Sequence, residues 1–223
     1  MSPRREPVSR RDRPAKAPLS RASLVTAALH VMREEGLERL TMRRLAAELD
    51  TGPASLYVYV RNTAELHGAI LDELVAGLET PDPTVGDWRE RLIGTLTAYT
   101  RLLFSYPSLA RSVLMLRPAG PHYLRLIDTI AGLLLDGGVP VRQAAWGVDI
   151  LLQHATATAA EQGSRDESAE AEAEQEDLAL AVVEASPGTY PNLVRVREEI
   201  LAGSGEERMR WAFATIIDGL RAG

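Results

Sequence analysis

The sequence predicts an all-α protein: an N-terminal three-helix head with a helix-turn-helix, joined to a larger helical domain. Three observations predict it. Apolar residues recur at helical spacing through most of the chain from Ser20 onward, as in Leu24, Ala27, Ala28, Val31 and Met32. Capping residues stand ahead of these stripes, and Gly or Pro stands behind them. Charge is split along the chain: residues 1–63 hold 12 Arg plus Lys against 7 Asp plus Glu, and residues 64–223 hold 13 against 24. The overall net charge of −6 argues against a nucleic-acid binder. The split argues for a basic module joined to an acidic one.

Residues 1–19 are rich in Arg and Pro without an apolar period, and read as a disordered basic arm. Ser20 caps a first helix, which Gly36 stops in the manner of a Schellman turn. Thr41 caps a second, with Met42, Leu45, Ala46 and Leu49 inward. Pro53 suits the first position of a third, over 53–60, with Leu56 and Val60 (i, i+4) toward the core. Read by propensity alone, "TGPASLYVYV" is a short β-strand; its caps and its partner helix make it helical. Asn62 and Glu65 form a capping box for a fourth helix, 63–79.

Val85, Trp88, Leu92, Leu96, Tyr99 and Leu103 make a long stripe stopped by Pro107. A short helix is expected over 107–115, another from Pro121 to Gly137, a long one over 140–161 and the last over 205–221. The acidic, low-complexity stretch 161–177 is expected to be a mobile loop. The domain expectation is therefore arm 1–19, DNA-binding head 20–66 and helical regulatory domain 67–223.

Other classes are narrowed by composition. There is no cysteine, so disulfides and thiolate metal sites are out of reach. No apolar run approaches the roughly 20 residues that span a bilayer, and no signal peptide is seen. The expected setting is cytoplasmic, without membrane partners. No Gly-rich phosphate loop, nucleophile elbow, His-Glu-x-x-His or metal-ligand spacing is present, so an enzyme is disfavoured and neither cofactor nor metal is expected.

Two short helices joined by a tight turn over 41–60 make a helix-turn-helix, whose second helix enters the major groove of DNA. Tyr57 and Tyr59 each offer a rigid ring and a hydroxyl for phosphate. Pro53 and Ala54 can meet thymine methyls, and Arg43 a guanine edge or a phosphate. The competing reading packs the tyrosines in the head's own core.

The stretch "LTMRRLAAELDTGPASLYVYVRNTAEL", 40–66, with the helix before it, resembles the TetR family of bacterial transcriptional repressors. Arg43, Pro53, Ala54, Ser55, Tyr57, Val58 and Tyr59 match positions that touch operator DNA in that family. Thr41, Arg61 and Thr63 complete the DNA-facing set. Two residues depart from the pattern: Asp50 stands where Gly is common, and Thr63 where many members carry a phosphate-binding Lys.

The resemblance implies that the remaining two-thirds is a regulatory domain that binds a small, largely apolar effector and dimerises through its last two long helices. Trp88, Tyr99, Leu103, Phe104, Met115, His122, Tyr123, Trp146, Ile150, Gln153 and His154 are the pocket candidates, with Trp88 and Trp146 expected to report its filling. Ala144, Leu152, Ala155, Ala159, Phe213, Ile217 and Leu220 are the dimer candidates; the competing reading buries that stripe within one subunit. Tetracycline repressors use a His at the end of helix 4 toward a drug-bound metal. Glu79 stands at the matching position, which does not support a tetracycline–Mg ligand. The expected function is a ligand-released homodimeric repressor on palindromic double-stranded operator DNA. The alternatives are a DNA-binding dimer without a small-molecule ligand, and a helical enzyme.

Overall fold

The computed structural model describes residues 18–166 and 168–222, with Ala169 described by its backbone alone. Among these residues there are eleven α-helices and no strand. The chain divides into two compact units, residues 1–61 and 62–223. The expected basic arm falls outside the described residues except for Pro18 and Leu19.

The first unit contains α1 (Arg21–Glu35), a 3-10 turn (Leu37–Arg39), α2 (Met42–Glu48) and α3 (Pro53–Leu56). Side chains satisfy the orphan N–H groups at two of these starts. Ser20 and Ser23 form a reciprocal box at α1, and Thr41 Oγ1 accepts from Arg44 N at 3.0 Å. Gly36 ends α1 at φ 88° and ψ 161°, a positive-φ conformation that favours glycine but not the αL geometry of a Schellman turn. Asp50 supplies the left-handed corner after α2 at φ 47°, a conformation that Asp tolerates better than most residues.

Leu24, Ala28, Val31, Leu45 and Leu56 are fully buried and Val60 nearly so. Each large apolar side chain so buried contributes about 1.5–3 kcal/mol. The third helix is shorter than the expected 53–60. Beyond Leu56 the chain continues as a turn, in which Tyr59 N and Val60 N both donate to Leu56 O at 2.9 and 3.2 Å. Alternating Tyr and Val have poor helix propensity, so only the turn geometry survives. It still delivers Val60 to the core.

The second unit holds α4 (Thr63–Val75), α5 (Trp88–Phe104), α6 (Pro107–Val113), α7 (Pro121–Asp136), α8 (Val141–Asp166), α9 (Ala169–Glu184), α10 (Pro191–Leu201) and α11 (Gly205–Ala222). Asn62 Oδ1 accepts from Glu65 N at 2.8 Å to start α4, which closes in turns after Val75 instead of reaching 79. Asp87 and Glu90 box the start of α5, leaving Val85 exposed ahead of it. Helices α5, α6, α7 and α11 pack around α8, and α4 lies against α6 and α7. Gly163 lets α8 approach α6, since a Cβ there would lie 2.5 Å from Pro107 Cβ.

The loop expected over 161–177 is instead helix on both sides of a short break. Helix α8 runs through Asp166, and Ser168 caps α9 by accepting from Ala171 N at 3.3 Å. Ala and Glu are strong helix formers, and most of the Glu side chains stay exposed, so helix forms without burial. Helix α10, for which no element was expected, has no buried residue and packs mainly against α9. No helix among the described residues is long and apolar enough to cross a membrane.

Candidate nucleic-acid interface and helical cavity

In the first unit, burial of Leu56 and Val60 turns the other residues of the 53–59 segment outward. Pro53, Ala54 and Ser55 are exposed, as are Tyr57 and Val58 at 52% and 80%. They form a small, mostly apolar tip with one free phenol. Tyr59 differs: it is half-buried, and its hydroxyl donates to Leu19 O. Its proton is therefore engaged within the head, and the competing core reading holds for this one of the two tyrosines.

The neighbouring arginines also separate. Arg43 is exposed and makes no ion pair among the described residues. Arg44 donates Nε to Glu35 at 3.0 Å and Nη1 to Glu48 at 2.9 Å. Those bonds hold the Arg44 pKa above its ordinary value, and the Arg44 bond holds that of Glu35 below the usual carboxylate range. Arg44 thus fastens α2 to the end of α1, whereas Arg43 stays exposed. Thr41 is exposed at the α2 cap and Arg61 is exposed. Thr63, also exposed, opens α4 in the second unit.

In the second unit, a cavity of about 260 Å³ lies among α4, α5, α7, α8 and the segment after α6. Leu71, Val113, Ile127, Val148 and Leu152 give it apolar walls; Tyr99, Arg117, Tyr123, Asp149, Gln153 and Thr156 give it a polar edge. A hydroxyl relay runs along that edge. Thr156 Oγ1 donates to Leu152 O at 2.8 Å, so the 3.1 Å contact with Tyr99 has Tyr99 as donor. The rings of Tyr99 and Tyr123 meet edge-on with centroids 6.4 Å apart. Burial pushes both phenols up in pKa, so both are neutral donors at neutral pH. Arg117 and Asp149 act on the Tyr123 hydroxyl with opposite sign.

Of the pocket candidates, Tyr99, Tyr123 and Gln153 line this cavity. The others do not. Trp88 packs against Gly137, where a Cβ would lie 2.5 Å from its ring. Leu103 is buried and Phe104 half-buried at the end of α5. Met115, Trp146 and Ile150 point outward at 90%, 68% and 47% exposure. His122 lines a separate recess of about 130 Å³ with Glu79 and Arg125. His154 sits edge-on to Phe213 and lines an open groove between α8, α10 and α11. Arg117, Asp149, Thr156 and Leu71 were not expected. Asp149 had a signal, standing one turn before Gln153 on α8; Arg117 lies in a non-periodic segment that carries none.

The residues of the expected dimer stripe are covered within the single chain. Ala144, Leu152, Ala155, Ala159, Phe213 and Ile217 are buried within the single chain, and Leu220 is half-buried over Gly147. Their small or apolar character serves the packing of α8 against its own neighbours. The large apolar residues that α8 and α11 leave outward are Val141, Trp146, Ile150 and Trp211.

A helix-turn-helix head followed by a larger helical unit with a cavity defines the architecture of a bacterial helix-turn-helix regulator. Residues 24–70 match the model for bacterial regulatory proteins of the tetR family, and residues 80–223 that for the tetracyclin repressor-like C-terminal domain. The chain belongs to the TetR family. Among solved structures it is similar to a transcription regulator from Streptomyces, at 48% identity and TM-score 0.78 over 93% of this chain and 97% of that one. It is also similar to the TetR-family protein ActR of Streptomyces coelicolor in complex with actinorhodin, at 34% identity and TM-score 0.81 over 93% and 97%. It is 26% identical over 208 residues to the class C tetracycline repressor of Escherichia coli, covering 91% of this chain and 90% of that protein.

Proposed function

We propose that the protein is a transcriptional repressor that binds palindromic operator DNA as a homodimer and is released by a small effector. The observation that carries this reading is the outward set Pro53, Ala54, Ser55, Tyr57 and Val58, held by buried Leu56 and Val60, with Arg43 free nearby. A recognition element needs side chains exposed on a rigidly anchored backbone, and this segment has both. Two-fold symmetry of the dimer calls for half-sites roughly 34–36 Å apart. The outward residues Trp146, Ile150 and Trp211 supply the dimer face.

The effector is a largely apolar ring compound that carries an acidic or strongly hydrogen-bond-accepting group. Arg117 and Tyr123 offer donors for that group, while Asp149 and Gln153 accept from ligand hydroxyls. The likeness to ActR, whose structure holds actinorhodin, supports this class. The test is selection of duplexes from a random pool with the purified full chain, followed by a screen of aromatic acids for release. Failure to enrich any palindrome sinks the operator reading. Enrichment without release by any cavity-binding compound sinks the effector reading.

A further inference from the structure

Helix α7 has no capping side chain of its own. Its N-cap is Gly120, and Pro121 takes the first helical position. The acceptor comes from another helix. Asp72, in α4, places Oδ1 2.8 Å from the backbone N of Tyr123. Tyr123 is the third residue of α7, and its N–H is one that an N-cap side chain ordinarily satisfies. Asp72 thus caps a helix to which it does not belong, and its carboxylate also meets the positive end of that helix.

The contact is closely built. Asp72 is buried among apolar neighbours on the same helix, Ala69-Ile70-Leu71 before it and, past the exposed Glu73, Leu74-Val75 after it. A Cβ on Gly120 would lie 2.1 Å from Asp72 Cγ. Gly120 has φ −72°, which any residue adopts, so glycine is needed there for space and not for conformation. Both sides of the contact reach the cavity. Tyr123 and Pro118 line it from the α7 side, and Leu71, beside Asp72, lines it from α4. Helix α4 itself begins at Thr63, two residues after Arg61 closes the head unit.

We propose that Asp72 is a positioning residue through which α4 reads the state of the cavity. A molecule seated against Tyr123 displaces the first turn of α7, and the Asp72 carboxylate carries that displacement into α4. This rests on the effector-responsive reading above and assigns its first mechanical step. An apolar residue at 72 would fill the same space but leave the Tyr123 N–H unsatisfied and the two helices free to move apart.

The test uses the full chain and needs no effector. Asp72→Ala removes the carboxylate, Gly120→Ala pushes it aside, and Asp72→Asn keeps an acceptor in place. Amide hydrogen exchange is expected to rise about tenfold, in both the first turn of α7 and residues 66–75 of α4, for the two Ala variants. Exchange in residues 151–160 of α8 stays as in the wild type, and Asp72→Asn behaves like the wild type. Release of α7 alone, with α4 unchanged, overturns the proposal and leaves a local cap. Should Asp72→Ala not fold, Gly120→Ala decides.

A second arm links the contact to DNA. Val148→Phe fills part of the cavity from α8 in place of a ligand. On a duplex selected with the wild type, it is expected to weaken binding about tenfold alone and less than twofold with Gly120→Ala present, within the usual range of allosteric coupling. Equal weakening in both backgrounds overturns the proposal. If no duplex is enriched, or Val148→Phe has no effect in either background, the regulator reading fails instead. Exchange still decides the role of Asp72.

Discussion

The phenolic hydroxyl of Tyr59 donates to the carbonyl of Leu19 at 2.7 Å, tying the turn after α3 to the residue that precedes the cap of α1. Tyr57, two residues earlier, is half-exposed and its hydroxyl makes no such bond. Two tyrosines in one short stretch therefore do different work. Tyr59→Phe is expected to lower unfolding stability by about 1 kcal/mol, the usual worth of a partly buried hydrogen bond. Tyr57→Phe is expected to leave stability unchanged and weaken binding alike on selected and random duplexes. Urea unfolding and fluorescence anisotropy separate the two; the reverse pattern would interchange the roles.

Arg43 and Arg44 divide in the same way. Arg43→Ala is expected to relax base preference at one position of each half-site by about 1–3 kcal/mol. Arg44→Ala, which frees Glu35 and Glu48, is expected to leave base preference intact. A duplex library rebound by each variant reads this directly. An unchanged base profile for Arg43→Ala would reduce its role to a phosphate contact.

Dimerisation is expected through the outward faces of α8 and α11. Trp211→Glu and Ile150→Glu each place a charge on that face and are expected to raise the dimer dissociation constant by about tenfold or more. Sedimentation equilibrium measures this. Helix content should be retained, because both residues are exposed in the single chain. Operator affinity is expected to fall with salt as released counterions predict. A wild-type monomer at micromolar concentration that binds a single half-site as well as the palindrome would contradict the dimer.

Effector and operator are expected to oppose each other reciprocally, by about 1–3 kcal/mol. The native tryptophans are poor reporters of this, because none of the three lines the cavity. Ile127→Trp places an indole on the cavity wall, and its emission is expected to change on binding. A compound that saturates this signal while leaving operator affinity unaltered is not the inducer, since equal affinity for two states shifts neither.

Much of the head was legible because its determinants are local. Ser20, Thr41 and Asn62 cap helices at the expected places, Asp50 turns left-handed, and Leu56 and Val60 point inward. Each depends on neighbours within four residues. The acidic stretch misled because its Glu residues resist burial, whereas helix formation requires only propensity. The tie between Tyr59 and Leu19 spans forty residues and has no periodic trace.

The sequence by itself determined the all-α class, most helix starts, the helix-turn-helix and which face of it is buried. Spacing and capping chemistry repeat along one dimension and can be read there. Only the tertiary structure decided which tyrosine is free, which arginine is engaged, and which face of α8 is left exposed in the single chain. It also decided that Arg117 and Asp149 line one cavity with Tyr99 and Tyr123, and that Asp72 bonds the backbone of Tyr123. An amphipathic stripe says that a face is buried, but not against what. A lone charge such as Asp72 gains its meaning only when another helix brings an unsatisfied N–H within 2.8 Å.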